Sequence, residues 1–214
     1  MNKRKILLTL ARSGSSWVQQ YITEHNKKYF QMNYLQDQFG GVEFFNKENI
    51  KFDNLSFISL EDKINFLESE RLAGREYSIK VFLDQIENYH DWFFNFYKDW
   101  EIIKLTRREL FNQFISYTCH TPEFHDLFFK ELVTGQKGFI KDFLKWQDLL
   151  NLVQTDSHLV YEDLTDEFLS SYFKVSINYN FISHKSNIDY TKKFLLHDHA
   201  KKIFDEILVD FIIP

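Results

Sequence analysis

Leu7-Leu8-Thr9-Leu10-Ala11-Arg12-Ser13-Gly14-Ser15-Ser16-Trp17-Val18 runs from an apolar stretch, through a short polar loop with one glycine, into residues at helical spacing. The pattern predicts a buried strand over 6–10, a tight loop over 12–15 and a helix from 16 to about 24, capped by the loop's own hydroxyls. A strand, loop and helix joined this way aim backbone N–H groups and the positive end of the helix dipole at one point, which suits an anion. In that arrangement Gly14 lets the chain approach the anion closely, Ser15 and Ser16 add hydroxyl donors, and Arg12 adds charge. The loop is not a Walker A sequence, because the Gly-x4-Gly-Lys-Ser/Thr spacing is absent and no Lys follows Gly14.

A second unit of the same kind lies farther along the chain. Residues 100–106 read as a strand that ends in Arg107-Arg108, and Leu110, Phe111, Phe114, Ile115 and Thr118 recur at helical spacing after it. Asn112 and Ser116, four residues apart, would share one face of that helix, and Thr121-Pro122 would end it. Residues 78–83 and 158–161 supply two more strand candidates. Further helices are expected over 60–73, 90–97, 139–153, 166–172 and 191–211, and Gly40-Gly41 marks a turn before Val42-Glu43-Phe44-Phe45. Four short strands alternating with helices predict an α/β fold with a mostly parallel central sheet, in which ligands collect beyond the C-terminal ends of the strands. Both the Ser-Gly loop and the paired arginines fall at such ends.

Composition narrows the functional classes. A chain of 214 residues can bury a full core as a single domain, 1–214, and six Gly with two Pro leave little material for a linker. The net charge of −5 argues against a broad nucleic-acid surface, so the 24 Phe and 11 Tyr read as core filling and not as a stacking platform. Cys119 has no second cysteine to pair with and no cluster to join, which fits a reducing, cytoplasmic setting. The apolar run after the basic N-terminus is interrupted by Arg12, too short for a signal peptide, and no stretch approaches the roughly 18 apolar residues needed to cross a bilayer. His197 and His199, two apart on an expected helix, do not share a face, and no metal site is expected there.

The string from Leu7 to Val18 resembles the 5′-phosphosulfate loop of sulfotransferases that use 3′-phosphoadenosine 5′-phosphosulfate (PAPS). That loop is written Pro-Lys-Ser-Gly-Thr-Thr-Trp in the cytosolic branch and Arg-Ser-Gly-Ser/Thr-Ser/Thr in bacterial and phage-like branches. Arg12 stands where the cytosolic branch has Lys, and Ala11 replaces its Pro. Arg108-Glu-Leu-Phe-Asn-Gln-Phe-Ile-Ser116 is similar to the family's 3′-phosphate motif, with Leu110 in place of the usual Pro. Tyr161-Glu-Asp-Leu164 is similar to a segment late in many members.

The resemblance implies a P-loop-like, three-layer α/β/α domain that moves a sulfuryl group from PAPS to a carbohydrate or other small acceptor without a metal. It implies PAPS contacts from Arg12, Ser13, Gly14, Ser15, Ser16, Trp17, Arg108 and Ser116, with Lys185 in the region of a further family element. Arg12 and Lys80 are the expected cations at the leaving group. Phe82 occupies the position of the cytosolic branch's catalytic His, so the base is sought elsewhere: Glu43 first, by likeness to a Glu-Tyr/Phe-Phe segment, His90 second and Asp84 third. Two alternatives remain open, a non-catalytic nucleotide- or carbohydrate-binding relative and a small-molecule kinase, the latter disfavoured by the missing Gly-Lys.

Overall fold

The structure, a computed structural model, describes residues 4–25, 30–32, 44–45, 65, 68–69, 72–73, 77–118, 122–134, 136–176 and 197–212. The four expected strands are present as β1 (Lys5–Thr9), β4 (Tyr77–Phe82), β5 (Glu101–Thr106) and β6 (Ser157–Val160), joined by the short β2 (Phe30–Met32) and β3 (Phe44–Phe45). They form one sheet in the order β3-β2-β4-β1-β5-β6. From β4 to β6 the sheet is entirely parallel; β2 extends it in parallel, and only the β2–β3 pair is antiparallel. A central strand of such a sheet is covered on both faces, and all five residues of β1 are buried.

Seven helices accompany the sheet among the described residues: α1 (Ser15–His25), α2 (His90–Phe96), α3 (Leu110–Thr118), α4 (Pro122–Thr134), α5 (Gly138–Leu152), α6 (Asp166–Phe173) and α7 (His197–Ile212). Alternation along the strands separates two cores. Ile6, Leu8, Ile79, Val81 and Ile102 pack on one face with Phe93, Tyr97 and Leu150, from α2, the turn after it and α5. Leu7, Ile103, Leu105 and Leu159 pack on the other with Trp17, Val18, Tyr21 and Ile22 of α1 and Leu169 and Phe173 of α6. The result is a three-layer α/β/α arrangement. A third cluster, among helices only, joins Phe111, Phe114 and Ile115 of α3 to Phe128, Phe143 and Phe204. Phe114 alone meets four other phenylalanine rings at centroid distances of 4.8 to 5.7 Å, so much of the aromatic content is core.

Several boundaries depart from the sequence reading. Pro122 does not merely follow a helix; it opens α4, where its missing N–H costs nothing, and α4 had no counterpart in the expected set. A 3-10 helix over Leu83–Tyr89 connects β4 to α2. Of the expected helix at 60–73, the described residues 65, 68, 69 and 72 are helical, and 191–196 lie outside the described residues. Lys104 shows how the sheet tolerates a buried cation. Its Nζ donates to the Asn151 and Val153 carbonyls at 3.0 and 2.9 Å, at the C-terminal end of α5 where carbonyls lack helical partners. Burial pushes its pKa below the ordinary lysine value.

Candidate anion site at the sheet switch point

β1 and β5 are neighbours whose chains leave in opposite directions. From β1 the chain enters α1 on one face of the sheet; from β5 it enters α3, which packs with α5 on the other. Adjacent strands with diverging connections open a crevice at their C-terminal ends. The Ser-Gly loop and Arg107-Arg108 form its two lips.

The loop is held by its neighbours more than by itself. Arg12 has a φ of 61° and Gly14 a φ of 84°, both in the left-handed region. Thr9 Oγ1 lies 2.7 Å from the Leu105 carbonyl and 2.6 Å from Ser13 Oγ, tying loop to strand. Gln113 Nε2 donates to the Ala11 carbonyl at 2.8 Å and is itself steadied by a 3.0 Å bond between Gln147 Nε2 and Gln113 Oε1. Arg107 Nη1 reaches the Arg12 carbonyl at 3.4 Å. With those carbonyls engaged from behind, Trp17 N–H closes on the Gly14 carbonyl at 3.1 Å, and the first amides of α1 open toward the crevice as the first turn of any helix does. Trp17 anchors the helix: its indole N–H donates to Asp166 Oδ1 at 2.9 Å, which also accepts from the Tyr21 hydroxyl at 2.6 Å. Burial first, and that bond second, raise the Tyr21 pKa.

Gly14 serves a purpose the sequence did not reveal. A Cβ there would stand 2.2 Å from Tyr161 Cε2 and 2.3 Å from Cδ2, so the missing side chain makes room for a tyrosine ring. Tyr161 stands edge-on to Trp17, with ring centroids 6.1 Å apart, and carries the Arg107 guanidinium 4.7 Å above its face.

Two cations meet the loop. Arg12 Nε donates to Ser116 Oγ at 2.9 Å, closing a gap of 104 residues, and Lys80 Nζ donates to Ser16 Oγ at 3.4 Å. Lys80 is almost completely buried while Ser16 is exposed, so the ammonium is delivered to the loop from within the sheet. Ser116 is buried as well, and it shares its face of α3 with Gln113, not with Asn112, which is exposed and bonds Glu109 at 3.4 Å. The three-residue offset from 113 to 116 is the one that matters.

Arg107 and Arg108 differ in how they are held. Arg107 is largely buried and donates from Nε to Glu162 Oε1 at 3.2 Å. Arg108 is 62% exposed and lies against Asp163, with Nη2 at 3.0 and 2.7 Å from the two carboxylate oxygens. Asp163 raises the Arg108 pKa by hydrogen bonding and charge. Glu162 also accepts from the backbone N–H groups of Arg108 and Glu109 at 2.8 and 3.3 Å, satisfying donors that precede α3. Burial works to raise the Glu162 pKa, but these bonds and Arg107 outweigh it and hold the carboxyl below its ordinary value. Arg107, Gln113, Tyr161 and Glu162 were not among the expected ligand contacts; the signals for them were the paired arginines at the strand end, which point to Arg107, and the Tyr-Glu-Asp-Leu string, which holds Tyr161 and Glu162.

The candidate bases fare differently. Glu43 and Lys185 lie outside the described residues. His90 keeps other company. It is exposed at the start of α2, its Nδ1 is 3.3 Å from Asp91 Oδ1 and its ring packs on Phe94. It lines a cleft of about 560 Å³ with Leu83, Glu87, Trp146 and Leu149. Asp84 is in the turn that follows β4, and burial raises its pKa above the ordinary aspartate value. Among the described residues no three His, Cys, Asp or Glu side chains are grouped to hold a metal, and no helix is long and apolar enough to cross a membrane.

Comparison with protein-family models and with curated proteins finds no match for this chain.

Proposed function

We propose that the chain is a sulfotransferase that takes its sulfuryl group from PAPS and passes it to a hydroxyl or amine of a carbohydrate or other small acceptor. The observation that carries this reading is the Arg12–Ser116 bond, which joins the two segments that resemble the family's phosphate motifs at the crevice between β1 and β5. In this reading the amides at the start of α1, the hydroxyls of Ser15 and Ser16, and the side chains of Arg12 and Lys80 hold the 5′-phosphosulfate. Arg108 and Ser116 hold the 3′-phosphate, which exchanges places with Asp163 on the exposed guanidinium.

The chemistry asks little covalent work of the protein. The acceptor oxygen attacks sulfur in line, a new S–O bond forms, and the bond from sulfur to the nucleotide's phosphate oxygen breaks as 3′-phosphoadenosine 5′-phosphate (PAP) leaves. The acceptor's proton passes to a base. Charge grows on the leaving phosphate, where Arg12, Lys80 and the loop amides are fixed before the reaction begins. Incubation with sulfur-35-labelled PAPS and a panel of glucosamine, lactose and 2-naphthol tests the reading. Label should appear in at least one acceptor, and Lys80→Met should reduce it by about 100-fold, in the range for one preorganised donor. Label in no acceptor, combined with no affinity for PAP, would remove the sulfotransferase reading.

A further inference from the structure

We propose that the cleft between α2 and α5 is a second binding site, for a small amine carried on an aromatic body. It is independent of the sulfotransferase reading, because none of its lining residues belongs to the crevice at the ends of β1 and β5.

Two helical faces make its walls. Past β4 the chain runs through the 3-10 helix into α2, and Leu83, Glu87, His90 and Phe94, spaced by four, three and four residues, line one side. Trp146 and Leu149, three apart on α5, line the other with Leu152, Val153 and Gln154 at the end of that helix. The base of the cleft is core. Leu83 and Leu150 are buried, and Phe94, Trp146 and Val153 pack half-buried against the same cluster. The far end is fixed by the sheet, since the Lys104 ammonium holds the Asn151 and Val153 carbonyls. Lys104 lies two residues before the end of β5, so the cleft runs along the flank of the sheet and away from its C-terminal edge.

The lining selects a chemistry. A volume of about 560 Å³ is within the range of small-molecule sites, which are mostly apolar with a few polar groups. Leu149 is 36% exposed and Leu152 67%, leaving apolar surface for a ligand to cover. Glu87 supplies the polar group. Its side chain is exposed, and among the described residues it makes no hydrogen bond or ion pair. An apolar body laid in the cleft strips water from that carboxylate, which then needs a donor, and a charged donor serves best. The rest of the wall agrees in sign. Residues 83–96 hold three acids and no Lys or Arg. Asp84 is close enough to Glu87 to feel its charge, and Asp91 lies 3.3 Å from His90 Nδ1. On the α5 wall the Lys145 ammonium lies 5.5 Å from the Trp146 ring centroid. A ligand's ammonium is thus directed to the acidic wall and its aromatic body to the wall of Trp146, Leu149 and Leu152.

The test is calorimetric titration of the full chain with three ligands that share an indole body: tryptamine, tryptophol and indole-3-acetate, which end in an ammonium, a hydroxyl and a carboxylate. Affinity should fall in that order. Tryptamine should exceed tryptophol by about three- to fivefold at low salt, the range of an exposed ion pair, and the margin should close at high salt. Glu87→Gln should abolish the margin and leave tryptophol binding unchanged. Leu152→Ser and, separately, Leu149→Ser change exposed positions and should keep the unfolding midpoint of the wild type while weakening tryptamine and tryptophol alike, by about fivefold. Equal affinity for the three ligands, a margin that survives Glu87→Gln, or binding untouched by both serine variants overturns the assignment. So does the absence of saturation by any of the three up to about 1 mM. None of these readouts involves PAPS or PAP, so failure here leaves the sulfotransferase reading standing, and failure to bind PAP leaves this site standing.

Discussion

Arg12 and Arg108 end neighbouring parallel strands, yet the protein treats them differently. Arg12 sits in left-handed backbone and gives its Nε to the buried Ser116 hydroxyl, which ties it to the helix that follows β5. Arg108 stands at the surface and gives two bonds to one carboxylate, which cancels most of its charge. An anion arriving at the crevice meets one guanidinium held by a buried hydroxyl and another held by a surface carboxylate, Asp163, which the anion must displace.

The sharpest way to break the first lip is Gly14→Ala. The substitution forces a left-handed alanine and a Cβ 2.2 Å from Tyr161, together worth about 3 kcal/mol of lost stability, seen as a lower midpoint in thermal or urea unfolding. Adding Tyr161→Ala should return the packing share and leave the backbone share. Next in size is Arg12→Ala, which should weaken PAP binding by roughly 10- to 100-fold, the worth of a charge-assisted hydrogen bond, with Arg108→Ala costing less because its charge is already spent on Asp163. Equal losses from the two variants would break the comparison.

Glu162 braces the second lip, and its pH dependence sharpens the contrast further. Its folded pKa lies below the ordinary 4.5, so its stabilisation is fully present above about that pH and is lost as the pH falls through the lower folded value. Glu162→Gln should flatten the fall in unfolding midpoint as the pH drops below about 4.5. The smallest expected change has the opposite sign. Asp163→Asn releases the Arg108 guanidinium and should tighten PAP binding a few-fold, since an exposed ion pair is worth only about 0.2–1 kcal/mol.

How much of this was legible in the sequence follows from how local each feature is. The strand, loop and helix at 5–25 and the strand and helix at 101–118 rest on apolar periodicity within a dozen residues, and both stand as read. β2 has three residues and β3 two, too few for any period to show. α4 was hidden because Pro122 was read as a stop when it serves as a start. At the site, Arg12, Ser116 and Lys80 could be named from their strings, but their partners could not. That Tyr161 fills the space over Gly14, that Gln113 and not Asn112 turns inward, and that Asp163 holds Arg108 all depend on contacts between residues 34 to 147 positions apart.

The most direct test of the central claim is a calorimetric titration of PAP into the wild type and into Arg108→Ala with Ser116→Ala, with ATP as the comparison ligand. The account predicts tight binding of PAP by the wild type, weak or absent binding by the double variant, and no comparable affinity for ATP. Absence of PAP binding by the wild type, or a preference for ATP, would contradict it.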